Sequence, residues 1–170
     1  AQGHDDLAGI DVEGKVVVLF SGAPARFPPA VRAHYSSGLT KLPMLIERGA
    51  VGVITLQSLE DQKRTPWERL VQQSWRSRMA WVDEAGNANG ALPTLKVRAS
   101  VSPARAAALF EGAPRTLEQA YAAAEAGTPQ AFDLPMAVEQ SRDSVIRRKA
   151  SANVVGLLRG RDPVLRDEYV

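Results

Sequence analysis

The sequence predicts a mixed α+β domain, and three observations carry that reading. Two β-branched, apolar runs, 16–20 and 51–56, bracket an amphipathic segment with the order strand, helix, strand. Two Ala-rich segments with start and stop residues follow, at 102–110 and 116–126. Weakly alternating stretches at 134–139 and 144–149 then read as exposed antiparallel strands.

In chain order, Gly14-Lys15 turns into Val16-Val17-Val18-Leu19-Phe20, a buried strand that ends in the breaker cluster Ser21-Gly22-Ala23-Pro24. A polar, Pro-containing loop over 26–38 leads to a helix in which Leu42, Leu45 and Ile46 share a face, with Gly49 as its stop. Pro43 suits a helix that begins near it. Ala50 to Leu56 is the second buried strand, and a crossover of this length makes the two strands parallel.

Thr65-Pro66-Trp67-Glu68 carries a helix start: Thr65 as cap, Pro66 in the first position, Glu68 closing a capping box. Trp67, Leu70, Val71 and Trp75 recur as one face. Three Trp within fifteen residues pack a small satellite core on this reading, with a partner-binding surface as the alternative. Residues 79–82 read as a short strand, 83–90 as a hairpin loop, and 92–97 as another strand. Ser102-Pro103 opens the first Ala-rich helix, stopped by Glu111-Gly112, and Thr116 to Ala126 forms the second, stopped by Gly127. Residues 151–160 read as a further strand, and Glu168-Tyr169-Val170 as the entry to one more.

Charge excludes some functions. With 21 Lys+Arg against 19 Asp+Glu the net charge is +2, split as −1 over 1–139 (14 basic, 15 acidic) and +3 over 140–170 (7 basic, 4 acidic). Arg142, Arg147, Arg148 and Lys149 have no aromatic among them, so no nucleic-acid partner is expected. No apolar run approaches the ~20 residues of a membrane helix, so no membrane span is expected. The absence of Cys removes disulfides, thiol chemistry and Cys-ligated zinc. The start at Ala1, without Met, suggests a processed protein or an excised piece.

No catalytic constellation stands out. His4 beside Asp5 and Asp6 lacks a third convergent ligand, and His34 lies in the predicted 26–38 loop without a Gly-x-Ser-x-Gly nucleophile elbow. Both Gly-x-Gly-x-x-Gly and the Walker lysine motif are missing, and Pro24, Pro28 and Pro29 remove donors a phosphate loop would need. Asp83, Glu84 and Asp133 show no spacing that demands an acid/base pair. One surface stands apart: Arg26, Phe27, Arg32, His34 and Tyr35 combine cations and aromatics just after a parallel strand's carboxyl end, where α/β ligands tend to bind.

The opening Asp6-Leu7-Ala8-Gly9-Ile10-Asp11-Val12-Glu13-Gly14-Lys15-Val16-Val17-Val18, with Glu47-Arg48-Gly49-Ala50-Val51-Gly52-Val53-Ile54 after a helix, resembles the protease-associated domain family. Ser151-Ala152-Asn153-Val154-Val155-Gly156 through Glu168-Tyr169-Val170 is similar to the start of the catalytic domain of co-catalytic di-zinc aminopeptidases, and 66–81 to a flap in bacterial members. The resemblance implies a swivelling β/β/α fold, a mixed sheet or open barrel flanked by helices. It divides the chain into a protease-associated domain at 1–150 and, at 151–170, a linker with the first strand of a catalytic domain beyond the chain. The implied role is non-catalytic: shaping substrate access or mediating peptide and protein contacts beside a peptidase domain in cis, in a periplasmic or secreted parent. Zinc is expected in that catalytic domain and no cofactor in this segment, and no catalytic or metal residue carries over. The segment alone is expected to be inactive, and 151–170 poorly ordered without sheet partners. Two other classes are a stand-alone protein-interaction module and a small-molecule-binding α/β domain.

Overall fold

The computed structural model describes residues 5–165 and residue 168. His4, Tyr169 and Val170 lie outside them, and with them the reading of His4 and that of Tyr169-Val170 as strand. The chain is a mixed α+β fold. It divides into two units, residues up to Gln140 and residues from Ser141 onward.

The first unit is built on three strands, β1 (Val16–Phe20), β2 (Gly52–Leu56) and β3 (Val97–Ser100), in the order β1-β2-β3. All are parallel, with Val16 opposite Gly52 and Gly52 opposite Val97. Between β1 and β2 run α1 (Pro29–Ser36) and α2 (Gly38–Glu47), and between β2 and β3 run α3 (Leu59–Arg64) and α4 (Trp67–Ser74). After β3 come α5 (Pro103–Ala106), a 3-10 turn (Ala107–Phe110) and α6 (Leu117–Glu125).

Both sheet faces are covered, as parallel sheets require. On one face Val53 packs with Leu42 and Leu45 of α2, with Val17, Leu19, Leu92 and Leu95 at the margin. On the other, Ile54 and Leu56 pack with Ala106 and Leu117, flanked by Val16, Val18, Phe20 and Val97. Alternation along each strand therefore feeds two cores, which is why 16–20 and 51–56 read as continuous apolar runs rather than as alternating ones.

The helix ends follow their local chemistry. α2 is capped by Ser37, whose hydroxyl accepts the Leu39 N–H at 3.2 Å, and it tolerates Pro43 inside at the loss of one backbone donor. It closes as a Schellman motif: Ala50 N–H donates to Leu45 O at 3.1 Å and Gly49 N–H to Ile46 O at 2.8 Å, with Gly49 at φ +83°. α6 opens on a reciprocal capping box between Thr116 and Gln119.

Several expectations are corrected. The 26–38 segment is not all loop: Pro28 and Pro29 start α1, because proline at the first helical position presets φ and surrenders a donor that had no partner. Thr65 does not cap α4. It closes α3, donating its N–H to Asp61 O at 2.8 Å, and α4 has Pro66 at its N-cap. The 79–82 strand shrinks to a single antiparallel bridge, Val82 with Ala88, around the expected turn, where the Asp83 carboxylate accepts the Asn87 N–H at 2.7 Å. The 92–97 strand is displaced to β3. The Trp satellite core does not form: Trp67 is half-buried, while Trp75 is 85% and Trp81 66% exposed.

No strand forms at 134–139, 144–149 or 151–160. Strand propensity is realised only through a neighbouring ladder, and two-stranded pieces are marginal in water. Within the first unit, the outer edge of β3 is met instead by a side chain. The Gln140 amide accepts the Arg98 N–H at 3.0 Å and donates to the Arg98 carbonyl at 3.3 Å, occupying the edge as a peptide group would. In the second unit Val154 and Leu158 are each 96% exposed. Deleting 151–170 is therefore expected to leave the Tm of the first unit unchanged in a thermal melt; a drop of several degrees would show that the segment packs.

Candidate functional site

The loop after β1 and helix α1 bring the predicted surface residues together. The Arg26 guanidinium carbon lies 5.5 Å from the Phe27 ring centre, an exposed cation–π contact of about 0.5–1 kcal/mol. Phe27 meets Tyr35 edge-on at 6.1 Å, and Tyr35 meets His34 edge-on at 4.9 Å. His34 sits in the last turn of α1, exposed, rather than in a loop.

The two arginines of this cluster also hold the scaffold. Arg26 Nη1 donates to Gly127 O at 3.0 Å, tying the loop to the end of α6. Arg32 donates to Ala23 O at 3.4 Å and pairs with the Glu60 carboxylate of α3. What remains presented is an aromatic ledge, Phe27 and Tyr35 half-buried, with His34 exposed beside it.

Next to it, at the carboxyl ends of β1 and β2, lies a polar knot that sequence reasoning missed. The Ser21 hydroxyl donates to the Asp61 carboxylate and accepts the Ser58 N–H at 3.1 Å. Ser58 caps α3 by accepting the Asp61 N–H at 3.2 Å. Lys41 reaches in from α2 and donates to the carbonyls of Gly22 and, at 3.5 Å, Phe20. Burial pushes the Lys41 ammonium below its usual range, opposed by the charges of Asp6 and Asp61. Each polar group here has a partner inside the fold, so the knot fixes the turn after β1. Its legible signal was the Ser58-x-x-Asp61 spacing.

A second knot surrounds Gln57, at the end of β2. Tyr121 Oη donates to the Gln57 carbonyl at 2.9 Å, and Gln62 Nε2 donates to the same carbonyl at 3.1 Å and to Tyr121 Oη at 3.0 Å. The Tyr121 ring stacks on Phe20 at 4.6 Å, and burial raises its phenol, against the Gln62 hydrogen bond. Gln57 is 6% exposed; its Nε2 donates to Thr65 O at 2.8 Å, while its Oε1 is buried without a hydrogen-bond partner.

The carboxylates weighed as metal or acid/base candidates act locally. Asp5 binds Arg48 through both oxygens, at 3.0 and 2.8 Å, and the Arg48 hydrogen bond holds its carboxyl below the usual range. Asp133 pairs with Lys15 at 2.8 Å on an open surface, where solvent screens the contact. Among the described residues no three His, Asp or Glu stand together as a metal-ligand set, and no helix is long and apolar enough to cross a membrane.

Set against known proteins, the chain matches no family model, no curated protein and no solved structure.

Proposed function

We propose that the chain is a protease-associated domain of a zinc-dependent aminopeptidase, with a non-catalytic part in admitting or positioning peptide substrate. The observation that supports this reading most is how the motif residues behind the resemblance are used. Val16-Val17-Val18 pairs in register with Gly52-Val53-Ile54, and both glycines of Gly49-Ala50-Val51-Gly52 have a geometric task. Gly49 turns at positive φ against Glu13, and Gly52 lies where a Cβ would strike Val97. On the same resemblance, the zinc of such an enzyme would belong to its catalytic domain.

The coding sequence beyond Val170 tests the reading. A His-x-Asp pair soon after it, with further Glu, Asp and His ligands, would support an aminopeptidase, and a stop codon or an unrelated domain would remove it. In the complete enzyme, Arg26→Ala and Tyr35→Ala are expected to lower kcat/KM on several peptides by about tenfold, near 1.4 kcal/mol of transition-state binding. Unchanged values, with an unchanged Tm, would exclude a substrate role for the ledge.

A second reading, a stand-alone interaction module, draws on the exposure of Trp75, Met79 and Trp81, three large apolar side chains that the first unit leaves in water. Retention of the full chain on a partner column, lost in Trp75→Ala/Trp81→Ala, would favour it.

A further inference from the structure

A cleft of about 290 Å³ opens where β2 and β3 deliver their carboxyl ends, on the far side of β2 from the loop after β1. Gln57 follows β2, Ser102 follows β3, Gln62 belongs to α3, and Pro66, Trp67 and Glu68 at the start of α4 complete the wall with Pro103 and Ala104. Carboxyl ends of adjacent parallel strands are where α/β folds place small ligands.

The groups this wall leaves unengaged are one-sided, since the Gln62 Nε2 is taken by the Gln57 carbonyl and Tyr121 Oη. Gln57 is more than nine-tenths buried, and its Oε1 is an acceptor with no donor. Glu68 contributes a carboxylate that enters no ion pair among the described residues. The Ser102 hydroxyl makes no cap hydrogen bond. Trp67 supplies an indole, and the two prolines are apolar. No Lys or Arg lines the cleft. Acceptors, a negative charge and a π face, with no competing cation, select for a cation that carries N–H groups.

We infer that this cleft is a binding site for a primary ammonium on a short aliphatic stem. The ammonium donates to the Glu68 carboxylate, to Gln57 Oε1 and to the Ser102 hydroxyl, while the stem lies on Trp67, Pro66 and Pro103. An orphaned buried acceptor is costly, and a ligand N–H relieves that cost, so Gln57 contributes selectivity for an N–H cation over a quaternary one. Because Oε1 is shielded from water, the ligand must shift the wall slightly outward to reach it. Affinity for a minimal probe is therefore expected to be weak, in the millimolar range. This inference is independent of the peptidase reading and survives if no catalytic domain follows.

The test is a titration of the full chain with n-butylammonium chloride, followed by ¹H–¹⁵N spectra, with sodium chloride at matched ionic strength and 1-butanol as controls. The expected result is a saturable shift of the Trp67 indole N–H and the Gln57 side-chain amide, with the Trp75 and Trp81 indoles still. Glu68→Gln, on an exposed position, is expected to weaken binding about tenfold, the scale of one charge-assisted hydrogen bond. Gln57→Leu removes the orphaned acceptor and is expected to bring the n-butylammonium affinity down to that for tetramethylammonium. The absence of a saturable shift, an equal response to 1-butanol, or unchanged affinity in Glu68→Gln would each overturn the site. Should Gln57→Leu not fold, the Glu68→Gln comparison decides alone.

Discussion

Gly52→Ala is expected to destabilise the first unit by about 3 kcal/mol, near the upper end of what overpacking a rigid site costs. Gly52 begins the central strand and faces Val16 on one neighbour and Val97 on the other. A Cβ placed there would lie 2.6 Å from Val97 Cβ, 3.0 Å from Val16 Cγ2 and 3.2 Å from Val97 O. Two of those atoms belong to backbone or to a Cβ, which move only if β3 moves. The usual gain from replacing a strand glycine is therefore overwhelmed. Chemical denaturation should show a lower midpoint with little change in slope. Val97→Ala should not rescue the variant, because alanine keeps the offending Cβ, whereas Val97→Gly should recover part of the loss and reveal coupling between the two positions. A Gly52→Ala protein as stable as the parent would mean that β2 and β3 are not paired in this register.

That glycine also marks the boundary of what the sequence made legible. Strands β1 and β2, the stop at Gly49, the helix start at Thr116 and the end at Gly127 were readable because each depends on neighbours within a few residues. Helix α1 was hidden by its own start signal, since Pro28-Pro29 both breaks the preceding segment and opens a helix favourably. Helix α3 was hidden because Leu59-Glu60-Asp61-Gln62-Lys63-Arg64 has no apolar period; it is held by the Ser58 cap and by the Arg32 and Ser21 contacts to Glu60 and Asp61. The strands expected at 134–139, 144–149 and 151–160 failed for the converse reason. Their local pattern was present, but a ladder partner is a non-local condition that no window can report. The aromatic ledge was legible as a composition, Arg26 to Tyr35, although not that Arg26 and Arg32 would be engaged by Gly127, Ala23 and Glu60. The cleft was not legible at all. Gln57, Trp67 and Ser102 meet only because β2 and β3 are adjacent and parallel, and each alone reads as a loop polar residue, a helix-face aromatic and a cap.

The other large effect lies beneath that cleft. Leu56→Ala is expected to cost about 3 kcal/mol, the usual range for a buried leucine being about 2–5 kcal/mol. Leu56 is 1% exposed, and its cluster includes Ala106 and Leu117, with Phe20, Phe110 and Tyr121 at the margin. The cavity would not collapse easily. Ala106 is already the smallest useful side chain, Phe20 is stacked on Tyr121, and Tyr121 is held by its hydrogen bond to the Gln57 carbonyl. Partial collapse would have to draw Tyr121 inward and so disturb Gln57, the residue next to Leu56 in the chain. The variant should therefore lose n-butylammonium affinity along with stability, although Leu56 does not line the cleft. Leu39→Ala provides the control: at 79% exposure it should change stability by no more than about 0.5 kcal/mol and leave the titration intact. Equal stability of Leu56→Ala and Leu39→Ala by denaturant unfolding would refute the two-faced packing of the sheet. A destabilised Leu56→Ala that binds the probe normally would keep the fold and separate the cleft from the core below it.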